Sequence, residues 1–246
     1  MNKDTIPYKD IKTIFLDAGN TLISMDFSKV FQKLEPFGFT CTVEQLQRAE
    51  AASRPIVSKE LERLKSTESD DTFTFYVKST LEKLPASTLP QHQDLNHILS
   101  SIVPVLRAPG QTMELWSYVI PGVPEALNLL KERGFQLAVV SNSDGTVEKG
   151  LNILGLGDYF QVIIDSHIIG FEKPDPRIFT HTLEACNADP HNTVHVGDMY
   201  DTDITGARTV GIHAILIDPF NDWEVEDCPK HTDILTFAKH ISNYCN

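Results

Sequence analysis

Residues 134–145 read Gly-Phe-Gln-Leu-Ala-Val-Val-Ser-Asn-Ser-Asp-Gly. A glycine closes the helical pattern before it, a largely apolar run comes next, and the run stops abruptly in small polar residues. That is the pattern of a buried strand delivering a loop. Working outward, Pro121-Gly122-Val123-Pro124 opens a helix that runs to Arg133, and Thr146 to Leu154 reads as the helix after the loop. Tyr159 to Asp165 is the next strand, Asp175 to Asn187 a helix begun by prolines, Thr193 to Val196 a strand, Thr202 to Val210 a helix and His213 to Ile217 a strand. Near the N-terminus, Ile-Lys-Thr-Ile-Phe-Leu-Asp at 11–17 is a further short strand, turned by Ala-Gly-Asn. Strands alternating with helices predict right-handed crossovers and an α/β parallel sheet covered on both faces.

After Thr21 the character changes. Residues 41–85 carry charged and apolar residues at helical spacing, with few glycines, and predict an all-helical stretch. Leu46, Ala49 and Ala52 form one expected apolar face; Leu61 and Leu64, then Phe75, Tyr76, Leu81 and Leu84, suggest two more helices. Pro85, Pro90, Pro104 and Pro109 are expected to interrupt the chain beyond this stretch, with a return linker near Tyr118 to Gly122.

Composition narrows the function classes. Among 246 residues, 21 Lys+Arg face 34 Asp+Glu for a formal charge of -13, which repels phosphate backbones and anionic membranes, and no local basic patch offsets it. No nucleic-acid or membrane partner is expected. No apolar run reaches the roughly 18 to 20 residues of a membrane span, and Met-Asn-Lys-Asp-Thr at 1–5 has no apolar stretch of the signal-peptide kind, so a soluble, cytoplasmic protein is expected. Cys41, Cys186, Cys228 and Cys245 are scattered without a CxxC pair, and read as ordinary thiols rather than disulfide or zinc ligands. Neither the oligomeric state nor the substrate is legible at this level.

In an open parallel sheet, ligands bind beyond the carboxyl ends of the strands. There the sequence is polar: Asp17 after the first strand, Ser141 and Asn142 after the second, Lys173 in the Gly-Phe-Glu-Lys-Pro-Asp-Pro loop after the third, and Gly197-Asp198 with Asp203 after the fourth. Taken singly, each has a plainer explanation as a helix cap, turn former or solvated surface lysine. As an ordered set, three carboxylates, one lysine and a small hydroxyl suit a phosphate group bridged by Mg2+: the hard cation takes oxygen ligands, lysine and hydroxyl hold phosphoryl oxygens, and a carboxylate can attack phosphorus.

Four segments then carry a resemblance: Phe-Leu-Asp-Ala-Gly-Asn-Thr-Leu at 15–22, Val-Val-Ser-Asn at 139–142, Glu-Lys-Pro-Asp-Pro-Arg-Ile-Phe at 172–179 and His-Val-Gly-Asp-Met-Tyr-Asp-Thr-Asp at 195–203. In order and spacing they resemble the hydrolases of the haloacid dehalogenase (HAD) superfamily. The resemblance implies a HAD-like Rossmannoid core at residues 1–22 and 120–246 and an all-helical cap at 23–119, which would close over the site and set specificity. It implies Asp17 as nucleophile, and Asp17, the main-chain carbonyl of Gly19, Asp198 and Asp203 as the Mg2+ set. Ser141 and Asn142 would bind substrate, Lys173 would neutralise nucleophile and phosphoryl charge, and Thr21 would brace the first loop. The implied partner is a small phosphorylated molecule.

One position departs from the family's phosphatases, which usually show Asp-x-Asp-x-Thr in the first segment. Here the run is Asp17-Ala18-Gly19-Asn20-Thr21, and glycine has no proton for the leaving oxygen. Three readings are open: a Mg2+-dependent phosphatase whose leaving group needs little protonation or whose proton comes from elsewhere; a 2-haloacid dehalogenase, whose halide needs none; and a phosphate-ligand binding or regulatory protein with little catalysis. A phosphonate-cleaving variant would need a Schiff-base lysine, for which Lys59, Lys65, Lys78 and Lys83 are candidates beside the plainer reading of surface charge. Arg48 and Arg54 are the insertion's anion-binding candidates, with surface salt bridges as the plainer reading. His195 is expected in the packed core, His181 and His213 show no metal spacing, and residues after Pro219, with Asp222, Trp223, Glu224, Glu226 and Asp227, are expected to form an exposed loop before a closing helix from Asp233 to Asn243.

Overall fold

The computed structural model describes residues 6–64, 66–91, 94–108 and 110–244; Met1 to Thr5, Lys65, Pro109 and Cys245 lie outside the described residues. The chain divides into two compact units, one from Met1–Ser24 and Val119–Asn246, the other from Met25–Tyr118.

In chain order the elements are β1 (Thr13–Leu16), β2 (Ile23–Ser24), α1 (Phe27–Leu34), α2 (Val43–Leu64), α3 (Asp70–Glu82), α4 (Leu95–Leu106), α5 (Gln111–Leu115), β3 (Tyr118–Val119), α6 (Val123–Glu132), β4 (Gln136–Ser141), α7 (Val147–Ile153), β5 (Val162–Asp165), α8 (Ser166–Ile169), α9 (Pro176–Cys186), β6 (Thr193–Gly197), α10 (Thr205–Thr209), β7 (His213–Ile217), β8 (Lys230–His231) and α11 (Ile234–Ser242).

The first unit is the α/β sheet expected from the alternation. Six strands run in the order β5-β4-β1-β6-β7-β8, all parallel. β1 sits between β4 and β6, with Leu16 level with Val139 and Val196, and all four of its residues are buried. Its continuous apolar character reflects burial on both faces. On one face, Phe15, Ala138, Val140, Ile178, Phe179, Ile204 and Leu216 belong to a single core cluster. Gly134 ends α6 in the left-handed conformation, φ +83°, which glycine adopts without the Cβ clash of other residues. A short ribbon of β2 and β3 stands where the chain leaves and re-enters this unit.

Past Pro219 the structure corrects the sequence reading. Trp223 and Cys228 are buried in the core cluster, and Lys230–His231 adds a sixth strand beside β7. The loop is pinned rather than free: the Asp218 carboxylate accepts from the main-chain N–H groups of Asp222 and Trp223 and from Lys230 Nζ. A two-residue strand is too short to show periodicity, so charge density misled the reading there.

β8 also brings His231 against the rings of Phe237 and His240, at centroid distances of 5.8 and 5.2 Å, and Tyr8 stacks on Tyr244 at 5.0 Å beside His240. Burial, then the neighbouring His240, pushes the His231 imidazole down to about 4. A pKa depressed on folding gives stability that is complete above the ordinary histidine range and is lost as pH falls toward the folded value. The melting temperature is therefore expected to drop between about pH 6.5 and 4, and His231→Phe should shallow that drop. An unchanged slope in the variant, measured by thermal melts across this window, would refute the assignment.

The second unit is helical, α1 to α5, around a core that includes Phe27, Leu34, Leu46, Phe73, Val77, Leu81, Ile98 and Ile102. Asp26, Ser69 and Asp94 cap α1, α3 and α4 through side-chain bonds to main-chain N–H groups. Leu46 and Ala49 face inward as expected, whereas Ala52 is half-buried. On α3 the buried stripe is Phe73, Val77 and Leu81 at successive four-residue steps; Phe75 and Tyr76 are only half-buried. α4 runs through Pro104, expected to break it. The proline sits in the last turns, where one lost hydrogen bond is offset by burial of Ile98, Leu99, Ile102 and Val103.

Arg54 also departs from expectation. It is buried, its Nε and Nη2 donating to the two oxygens of Glu50 at 2.8 and 2.7 Å, while Tyr76 Oη donates to Glu50 Oε1 at 2.6 Å. This is an interior ion pair within α2, joined to α3 by Tyr76, not a surface salt bridge. Arg48 is exposed.

Candidate active site

Every candidate of the α/β unit sits at the carboxyl edge of the sheet or in the loop beyond it. β1 ends at Leu16 and delivers Asp17, whose N–H donates to Val196 O across the strand pair at 2.9 Å. The chain then turns at once. Leu22 and Ile23 both donate to Ala18 O, Asn20 N–H donates to Ile23 O at 2.6 Å, and Asn20 takes φ +52°, a left-handed value that asparagine tolerates better than most residues. Thr21 is buried in this turn, and its hydroxyl has no hydrogen-bond partner among the described residues.

β4 ends in Ser141, level with Asp165 on β5. Asp165 is the organiser of the second loop and was not singled out from the sequence. Its two carboxylate oxygens accept from the main-chain N–H groups of Gly145, Val147 and His167, and the neighbouring Ser166 hydroxyl accepts from Ser143 N–H. A polar residue ending a strand was the signal that marked the other candidates, and Asp165 carries it too. Asn142 is drawn into the scaffold: its Nδ2 donates to Lys173 O at 2.9 Å and its Oδ1 accepts from Lys173 N–H at 2.7 Å. Its amide therefore holds the Lys173 main chain, where the sequence reading had placed it on substrate.

Lys173 is buried, and its ammonium donates to Asp17 Oδ1 at 2.6 Å and Asp203 Oδ1 at 2.7 Å. Asp203 comes from a π-helical turn, Tyr200–Ile204, that precedes α10; the sequence reading had a regular helix from Thr202. Its Oδ2 accepts from Met199 N–H at 3.0 Å, and His195 Nε2 lies 2.9 Å from its Oδ1. His195 is fully buried, as expected of core, yet it touches the site. The carboxylate needs glycine opposite: a Cβ on Gly197 would lie 2.3 Å from Asp203 Cγ, so any side chain there would displace it.

Asp17, Asp198 and Asp203 each offer an oxygen within 4.8 Å of the others, and all three are buried. Among the described residues the Lys173 ammonium pairs with Asp17 and Asp203, so this lysine brings one positive charge to three carboxylates in a region where burying charge is costly. Burial pushes the Asp17 carboxyl up to about 6, only partly opposed by Lys173. Burial acts the same way on Asp203, but Lys173 and His195 outweigh it and hold that carboxyl well below the usual range. Burial lowers Lys173, and its two acid partners more than reverse the effect, so it stays an ammonium. An all-oxygen, excess-negative cluster of this kind fits a hard divalent cation.

A family model of haloacid dehalogenase-like hydrolases matches residues 11–211. Haloacid dehalogenase-like hydrolase domain-containing protein 3 of Bos taurus is 40% identical over 126 residues, 50% of either chain. The ribulose-1,5-bisphosphate 5-phosphatase of Halopiger xanaduensis is 35% identical over 102 residues, 41% of this chain and 43% of that one. The chain spans about half the length of the curated relatives it matches. Among solved structures, the putative HAD-hydrolase YfnB from Bacillus subtilis, bound to magnesium, shares the fold with a TM-score of 0.65 at 19% identity, over 94% of this chain and 98% of that one. Among the described residues no helix is long and apolar enough to cross a membrane.

Proposed function

The chain belongs to the haloacid dehalogenase-like hydrolases, and from that premise we propose that it is a Mg2+-dependent phosphatase of small phosphorylated metabolites, acting through an aspartyl-phosphate on Asp17. The observation that carries this reading is the buried set of three carboxylates, two of them paired to the Lys173 ammonium. Asp17, Asp198, Asp203 and the main-chain carbonyl of Gly19 would hold the ion, whose charge would stabilise the ionised nucleophile and the phosphoryl oxygens. A dehalogenase expelling halide needs no divalent cation, so the cluster of three carboxylates favours the phosphatase reading. A relative that is a sugar-bisphosphate phosphatase supports the substrate class.

In this reading Asp17 attacks phosphorus, forming an O–P bond as the bond from phosphorus to the leaving oxygen breaks. Lys173, fixed between Asp17 and Asp203, keeps the nucleophile ionised and meets charge on the transferring group. The Ser141 hydroxyl, at the end of β4, binds a phosphoryl oxygen. Water then attacks the same phosphorus, the bond to Asp17 breaks, and inorganic phosphate leaves with Asp17 regenerated. The helical unit of residues 25–118 is proposed as the cap that sets specificity.

EDTA is expected to stop hydrolysis of 4-nitrophenyl phosphate and Mg2+ to restore it. Independently of turnover, Mg2+ at 100 times its dissociation constant should stabilise the fold by about 2.7 kcal/mol, visible as a raised melting temperature. Asp198→Asn should remove most of that rise. Activity indifferent to EDTA, in parallel with turnover of 2-haloacids, would establish the dehalogenase reading instead; Mg2+-dependent phosphate-analogue binding without turnover would establish a binding protein.

A further inference from the structure

His195 lies within β6, level with Phe15 on one side and Ala214 on the other, and is fully buried. An apolar residue would fit such a position, as Val194 and Val196 do beside it. The imidazole instead carries a cost: its Nδ1 is buried without a hydrogen-bond partner among the described residues, and its ring meets Phe179 edge-on at 5.2 Å. What the ring gains is one polar contact, Nε2 to Asp203 Oδ1 at 2.9 Å. An acceptor faces Nε2 and none of the described residues offers Nδ1 a hydrogen bond, so the proton belongs on Nε2 and the neutral ring donates. A second proton would be a buried donor with no acceptor.

Asp203 Oδ1 therefore receives two donors, Lys173 Nζ and His195 Nε2–H, while Oδ2 receives Met199 N–H. The carboxylate is tied at three points. Without the imidazole, Lys173 would be the sole donor to Oδ1, and the ammonium, shared with Asp17 at 2.6 Å, would be free to shift toward Asp203.

We propose that His195 is a positioning residue for the reaction: by donating Nε2–H to Asp203 it fixes that carboxylate so that Lys173 remains on Asp17. The proposal rests on the phosphatase reading for its kinetic consequence, though not for its geometry.

The test compares His195→Phe, which keeps a flat apolar-compatible ring without the donor, His195→Gln, whose amide nitrogen reaches the Nε2 position, and His195→Asn, whose amide reaches only the Nδ1 position. With Mg2+ and 4-nitrophenyl phosphate, His195→Phe and His195→Asn are expected to lose kcat by roughly 10- to 100-fold at nearly constant KM, the scale of a misplaced catalytic group, while His195→Gln recovers most of it. His195→Phe should melt no lower than wild type, which separates positioning from folding. Wild-type kcat in His195→Phe, or equal losses in Gln and Asn, would overturn the proposal; should His195→Phe fail to fold, the Gln and Asn pair decides. Side-chain 15N NMR gives an arm that needs no turnover. It should show the Nε2–H tautomer of His195 and a Lys173 ammonium resonance that moves in His195→Asn. If wild type hydrolyses no phosphate ester, the phosphatase reading fails while this arm still decides the geometry, and an Nδ1–H tautomer or an unmoved ammonium sinks it.

Discussion

Asp17→Asn is expected to reduce kcat on every phosphate ester by at least about 10,000-fold, the scale seen when a covalent nucleophile is removed from an enzyme. The substitution is nearly isosteric. Asn keeps a carbonyl oxygen for the Lys173 ammonium, which now donates to Asp17 Oδ1 and Asp203 Oδ1, but it has no anionic oxygen with which to attack phosphorus. The fold should survive well. Asp17 is buried and its carboxyl is pushed up to about 6, so its charge is tolerated rather than favoured where it lies. In EDTA the variant should therefore melt close to wild type, because a buried charge has gone while Lys173 keeps Asp203 as its ion-pair partner. Kinetics on 4-nitrophenyl phosphate and thermal melts with and without Mg2+ check both halves. Turnover retained within tenfold would remove Asp17 as nucleophile and favour direct attack by water.

The range of each interaction decides whether the sequence discloses or conceals it. β1 and β4 to β7 were legible because parallel strands buried on both faces are written as local apolar runs, and their ends are written as abrupt polarity: Asp17, Ser141, Asp198. The Tyr200–Ile204 turn was not, since composition does not distinguish a π turn from the start of an ordinary helix. Leu81 and Leu84 are buried as read and Tyr76 packs against the helical core, but Phe73 and Val77 were passed over for Phe75 because an aromatic-rich stretch offers more than one helical phase. Arg54 was assigned to the surface by its charge, and only the partner four residues back on α2, with Tyr76 from α3, makes its burial tolerable. Asn142 shows the same limit within the site. A polar residue beyond a strand can face substrate or hold its neighbours, and 31 residues of chain separate it from the Lys173 backbone that decides the matter.

Gly19→Asp is the substitution that asks what the site lacks. The position comes two residues after the nucleophile, so a carboxyl here would enter the same loop as Asp17. The loop is tightly turned by main-chain bonds of Asn20, Leu22 and Ile23, and Gly19 bridges to Ile23 within it. With glycine in place, the oxygen that leaves phosphorus must depart without a proton from this residue. An aryl oxide bears the resulting charge by delocalisation; an alkyl oxide does not. General acid help is typically worth 100- to 10,000-fold, and it acts most on the poorer leaving group. Gly19→Asp should accordingly raise kcat/KM for an alkyl phosphate such as glycerol phosphate by at least about tenfold relative to 4-nitrophenyl phosphate. The ratio is the quantity to measure, since a general effect on Mg2+ binding or on loop geometry moves both substrates together and cancels. An unchanged ratio would mean that the proton already reaches the leaving oxygen by another route, from substrate, water or a group of the helical unit, and the glycine would then mark a rerouted acid rather than a missing one.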